Sequence, residues 1–78
     1  MNIVPKAYIL FTIKTGSIPS TINALQNIPQ ISEAHSLYGV YDIICKIETE
    51  TMEELKDVMS NKIRRIEEVK ATIIMMMS

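Results

Sequence analysis

An α+β fold of βαββαβ order is predicted, with a four-stranded antiparallel sheet and both helices on one face. Three features of the sequence point to it. Residues 6–14, 31–37, 41–48 and 69–77 are runs of strand length that alternate or are continuously apolar. Residues 18–28, and 51 to about 66, instead carry apolar groups at helical spacing. The two βαβ halves are led by Ala7 and Tyr41, about 34 residues apart.

In the first run Ala7, Ile9, Phe11 and Ile13 share one face, and Tyr8, Leu10 and Thr12 share the other. Gly16 and Ser17 break it. Ser17 is a candidate N-cap, with Pro19 tolerated in the first helical turn. Ile18, Ile22, Leu25 and Ile28 then mark a helical face that Pro29 ends. After the strand at 31–37, a tight connection at Tyr38, Gly39 and Val40 leads into the strand from Tyr41 to Glu48. Thr51 and Glu54 have capping-box spacing. Met52, Leu55, Val58, Met59, Ile63 and Ile66 mark the second helix, and Val69 to Met77 read as a buried strand. This order is that of a ferredoxin-like domain, taken to span residues 1–78 as one unit.

A chain of 78 residues buries only about 60–70% of its unfolded surface, so a small core needs support. With one cysteine (Cys45) and one histidine (His35), neither an intrachain disulfide nor a Cys/His metal cage is available. Self-association remains. Apolar residues make up 47% of the chain, and the mean hydropathy is +0.16. The sheet face without helices would expose Leu10, Ile44, Ile74 and Met76, or their alternates, and such a patch calls for a sheet-to-sheet dimer of the dimeric α+β barrel type. A net charge of −1 lacks the basic excess of a nucleic-acid binder. No run approaches the ~20 apolar residues of a membrane span. The start, Met1 to Lys6, lacks the basic region and apolar run of a signal peptide, so a cytoplasmic protein is expected.

Residues that could carry chemistry have plain structural readings. His35 lies mid-strand with no nucleophile beside it, and Cys45 lies among apolar neighbours that give no reason for a depressed pKa. Lys62, Arg64 and Arg65 suit a solvated helix end, and Glu48, Glu50, Glu53 and Glu54 suit a helix start. Met75, Met76 and Met77 alternate across a strand and cannot converge on one ion. No catalytic residue, metal ligand or cofactor is therefore assigned. The segment Tyr38 to Asp42 admits two readings. Gly39 can make the turn with Asp42 capping it. Alternatively, Asp42 can pair with a ligand ammonium while the backbone at Gly39 approaches the ligand closely.

The sequence here resembles the Lrp/AsnC effector domain, or RAM domain (regulation of amino-acid metabolism). The resemblance is carried by Ile31 to His35, Tyr38 to Asp42, Ile43 to Ile47, Thr51 to Leu55, and Val69 to Thr72 before an apolar final strand. It extends from about Ala7 to Met77 and looks like the stand-alone form, without the helix-turn-helix most members carry. It implies a non-enzymatic module that binds an amino acid or related small effector between dimers. It also implies assembly of sheet-paired dimers into octamer-like rings, and modulation of transcription without direct DNA contact. Full-length regulators of the family are implied partners. Gly39, Tyr41 and Asp42 would line the ligand site, Asp42 receiving the α-amino group, and Thr72 matches a hydroxyl position that contacts ligand. Tyr38 and Ile74 replace small hydroxyl residues of the family, which makes the site bulkier and more apolar. Glu68 replaces a glycine before the last strand.

Three other readings are set beside this one. A dimeric α+β barrel enzyme of the monooxygenase or isomerase type would need His35 or Asp42 as its base. A structural co-assembly subunit would bind nothing. An RNA-binding sheet would need aromatics on its open face, for which only Tyr8, Phe11 and Tyr41 are near.

Overall fold

Residues Lys6–Ile13 alternate half-buried and buried along their whole length, the pattern of a strand with one face on a core. In the computed structural model, which describes residues 4–77, this strand (β1) is central. The start of the N-terminal segment read for targeting signals lies outside the described residues. β1 pairs antiparallel with β3 (Ile43–Glu48) on one side and with β4 (Val69–Met77) on the other. β2 (Ile31–Ser36) lies outside β3, giving the order β2-β3-β1-β4. The expected βαββαβ order and antiparallel sheet are observed.

Ala7, Ile9, Phe11 and Ile13 of β1 join Ile43, Cys45 and Ile47 of β3 in one buried cluster. The helices close over it with Leu25 from α1 (Ile18–Gln26), Leu55 from α2 (Met52–Asp57), and Val58 and Ile63 beyond it. Phe11 is the largest fully buried side chain. Truncating such a group costs about 3–5 kcal/mol, a large share of the 5–15 kcal/mol typical of a whole domain.

The element ends depart from the sequence reading in informative ways. Ser17 occupies the N-cap of α1, but its side chain makes no cap bond; Ser20 Oγ instead donates to the Ser17 carbonyl at 3.1 Å. The helix stops at Gln26, two residues short of the expected 28, as Asn27 and Ile28 turn toward Pro29. At α2 the Thr51 hydroxyl accepts from the Glu54 amide at 3.1 Å. Glu54 Oε1 reaches back to the Glu50 amide at 3.1 Å, one residue beyond the usual capping-box partner.

The second helix was expected to run to about residue 66 as one α-helix. After Asp57 it widens into a π-helical turn, Val58–Ile63. The i→i+5 bonding of that turn aligns Val58 and Ile63, which are both buried.

Strand pairing decides the open question of the faces. Phe11 opposes Thr72 and Ile9 opposes Ile74, so Thr72, Ile74 and Met76 share the helix-side face. The alternates are the open-face row: Ile73, Met75 and Met77, beside Leu10, Tyr8 and Lys6. Ile44 lies opposite Leu10 on that face, while Phe11 is buried on the other and offers nothing to it. Helices cover β1 and β3 but leave β4 bare, so Ile73 to Met77 are 42–49% exposed on both of its faces.

Candidate functional site

The link between β2 and β3 is longer than the tight connection read from Tyr38 to Val40, and β3 begins at Ile43 instead of Tyr41. The cause is Asp42, whose groups all serve the junction. Its amide donates to the Phe11 carbonyl at 2.8 Å, and its carbonyl accepts from the Leu37 amide at 2.8 Å. Its Oδ2 accepts from the Ile13 amide at 2.7 Å. The carboxylate thus caps the end of β1. Among the described residues Oδ2 is the carboxylate oxygen that accepts a hydrogen bond.

Beyond this anchor Tyr38 and Val40 are exposed, Tyr38 fully so, while Tyr41 is half-buried. Gly39 has φ +136°, a backbone that side chains rarely adopt, although a Cβ there would meet nothing within 4 Å. The glycine is required by the turn itself.

Thr72 and Ile74 lie elsewhere, on the other side of β1. Thr72 opposes Phe11, whose carbonyl receives the Asp42 amide. Asp42 and Thr72 therefore flank Phe11 with two strand spacings, about 10 Å, between them. Thr72 and Ile74 line a groove of about 540 Å³ between β4 and the π-helical turn. Its opposite wall is Met59, Ser60, Ile63 and Arg64, with Ile66 at one end. Tyr38, Gly39, Tyr41 and Asp42 do not reach it. The sequence reading missed Met59, Ser60 and Arg64 as neighbours of Thr72; the signal was the local break of helical geometry, which residue types alone do not announce.

The other ionisable candidates take structural positions. Cys45 is buried at the centre of the core, where desolvation pushes its thiol up to about 12, so it is no nucleophile at neutral pH. His35 is exposed on β2, with Nε2 3.3 Å from Glu33. On the open face the Lys46 ammonium lies 3.0 Å from Glu48 and 5.9 Å from the centre of the Tyr8 ring. Hydrogen bonding to Glu48 raises the Lys46 pKa, and Lys46 lowers that of Glu48. Of the basic cluster, Lys62 donates to Gln30 Oε1 at 3.0 Å, while Arg64 and Arg65 are exposed. Among the described residues no group of three or more His, Cys, Asp or Glu could hold a metal ion.

The sheet and its helices match a known domain. The family model described as the Lrp/AsnC ligand binding domain covers residues 6–77. The chain belongs to this family. As an Lrp/AsnC domain it is similar to FFRP-DM1, at 33% identity and a TM-score of 0.90, over 97% of this chain and 100% of that one. It is also similar to the hypothetical protein PHS023 from Pyrococcus horikoshii, at 32% identity and a TM-score of 0.91, over 95% and 89% of the two chains. AsnC from Escherichia coli matches at 26% identity and a TM-score of 0.85, over 94% of this chain and 50% of its own. No functionally curated protein matches this Lrp/AsnC domain in sequence.

Proposed function

We propose that this Lrp/AsnC domain is a non-enzymatic effector-binding and assembly module that acts in transcription regulation without touching DNA itself. Its effector is an amino acid or a closely related small molecule. Tyr38, Gly39, Tyr41 and Asp42 form one part of the binding site, and Thr72 and Ile74 form another. The observation that carries the reading is their separation: Asp42 and Thr72 stand on opposite sides of Phe11 in one chain. Two half-sites of this kind are completed when copies meet, and a ligand bridging copies stabilises the state in which they touch.

Assembly is supported independently. The open face carries Tyr8, Leu10, Ile44, Ile73, Met75 and Met77, with Lys6, Lys46 and Glu48 at one end, and no element among the described residues covers it. A sheet-to-sheet dimer buries that row, and further pairing of dimers, up to an octamer-like ring or with full-length regulators, brings the half-sites together. The non-enzymatic reading is supported by the buried, un-ionised Cys45 and by a His35 whose neighbour is a surface Glu33. No helix of the described residues is long and apolar enough to cross a membrane, and the module is read as cytoplasmic.

The test is a thermal-shift screen against the twenty amino acids, paired with light scattering to follow oligomeric state. Because Asp42 also caps β1, the informative variant is Asp42→Asn, which keeps an acceptor oxygen for Ile13 and removes the charge. Ligand at ~100 times its dissociation constant adds about 2.7 kcal/mol to folding. A shift from one or a few amino acids that is lost in Asp42→Asn supports the reading, and undiminished binding by that variant refutes the ammonium pairing.

A further inference from the structure

The fold sorts the sulfur atoms of this chain into two kinds. Its one cysteine, Cys45, is buried in the core. Its thiol stays protonated at neutral pH, the form that does not attack oxidants. The methionines are placed the opposite way. Of the six in the sequence, Met52, Met75, Met76 and Met77 are exposed. Three of these four are consecutive on the bare edge strand β4. Among the described residues, the sulfurs of the sheet that solvent can reach are therefore the thioethers of β4.

Strand register divides the three. Met75 opposes Tyr8 and Met77 opposes Lys6, so both lie on the open face. Met76 opposes the buried Ala7 and lies on the helix side. Along β4 Met75 stands between Ile73 and Met77 on the open face, beside Leu10 and Tyr8 of β1. This stripe is the apolar side of the face, since the Lys46–Glu48 pair lies across β1 on β3.

A peroxide oxidises a thioether in one two-electron step. The sulfur lone pair attacks one peroxide oxygen, an S–O bond forms and the O–O bond breaks. Sulfur is oxidised and the peroxide is reduced; with hydrogen peroxide the second oxygen leaves as water, carrying both protons. The sulfoxide left behind is polar where an apolar side chain stood.

We propose that Met75 and Met77 form a peroxide-sensitive switch of self-association: their sulfoxides, made on the unassembled chain, stop the open faces of two copies from pairing. The inference rests on the sheet-to-sheet pairing proposed above and adds a means of controlling it. In the paired state both thioethers are covered, so oxidation and assembly compete for the same free chain. A two-fold pairing of the faces brings in sulfoxides from both copies, and one unpartnered acceptor already weakens association about tenfold. Reductases specific for methionine sulfoxide reverse the change. Met76 is a built-in control, as exposed as the other two but on the opposite face.

The experiment treats the full chain with hydrogen peroxide at low and at high protein concentration. Peptide mass spectrometry reads the sulfoxide at each methionine, and light scattering reads the association state. Met75 and Met77 are expected to oxidise several-fold faster in the dilute chain, and Met76 at the same rate in both. The oxidised chain should pair about tenfold more weakly or worse, and methionine sulfoxide reductase should restore it. Replacing both residues, Met75→Leu with Met77→Leu, keeps the face apolar and should make association indifferent to peroxide. Met76→Leu should leave the sensitivity in place. In a partly oxidised wild-type sample the monomer fraction should be enriched in sulfoxide at 75 and 77 but not at 76, a readout that needs no variant. The inference is overturned if the oxidised chain pairs as tightly as the untreated one. It is overturned equally if sulfoxide at 75 and 77 is shared evenly between monomer and dimer, or if the double leucine variant loses association to peroxide as wild type does. Those outcomes leave the sheet pairing standing. An untreated chain that is monomeric at every concentration defeats the sheet pairing, and this inference with it.

Discussion

The carboxylate of Asp42 accepts a hydrogen bond from the backbone amide of Ile13 at 2.7 Å, joining positions 29 residues apart. It supplies at the end of β1 the acceptor that a ladder carbonyl would otherwise provide. Asp42→Ala removes that acceptor from a part-buried amide, which costs about 1–3 kcal/mol, and for a domain of this size each kcal/mol lowers Tm by about 4–8 °C. Asp42→Asn keeps an oxygen in place and is expected to cost less than half as much. Melts of both variants at one protein concentration check this, and equal losses would show that the bond to Ile13 does not stabilise the junction.

The element order, the β1 and β3 core rows and the capping Thr51 are legible in the sequence because each depends on neighbours a few positions away. Three features are not. The face of each β4 residue is set by its register with β1 and by the bulge at Lys70, both products of long-range pairing. The π-helical turn is hidden because Leu55, Val58, Met59 and Ile63 suit an ordinary α-helix equally well. The site is half legible: the residues from Tyr38 to Asp42 announce a special turn, but neither the bond from Ile13 to Asp42 nor the shared groove of Arg64 and Thr72 follows from any local pattern.

Thr21 is 1% exposed on α1, and its hydroxyl has no hydrogen-bond partner among the described residues. An unpartnered buried hydroxyl costs about 1–3 kcal/mol of desolvation. Valine has the same shape without the hydroxyl. Thr21→Val is therefore expected to stabilise the domain by roughly 1 kcal/mol or, at the least, to leave it unchanged. A denaturant titration reads the sign, and a loss of more than about 1 kcal/mol would mean that the hydroxyl is in fact satisfied.

Burial pushes the Cys45 thiol up to about 12 from an ordinary 9.0. The folded state therefore holds its proton where the unfolded chain has lost it. Folding stability from this group is complete below about pH 9 and falls as pH rises from there toward 12. In the native protein at pH 8, a thiol-specific reagent should label Cys45 only as fast as the chain opens. In denaturant it should label at the rate of a free cysteine. Rapid native labelling would contradict the burial.

The open face and the bare β4 yield the sharpest prediction about assembly. Ile73 opposes Leu10 on the open face, while Met76 opposes Ala7 on the helix side. In a sheet-to-sheet dimer Ile73 is buried against the partner and Met76 is not. Ile73→Glu buries an unpaired charge in that interface, at a cost of about 3–5 kcal/mol, which weakens dimerisation by a factor of hundreds or more. Met76→Glu leaves the face pairing intact and tests only contacts made on the other side. Light scattering across a hundredfold range of concentration should find wild type and Met76→Glu at least dimeric and Ile73→Glu monomeric. Tm should rise with concentration for the first two, since association is linked to folding. A wild-type chain that stays monomeric throughout, or an Ile73→Glu variant that still dimerises, would mean that the Leu10–Ile73 row faces something other than a second copy.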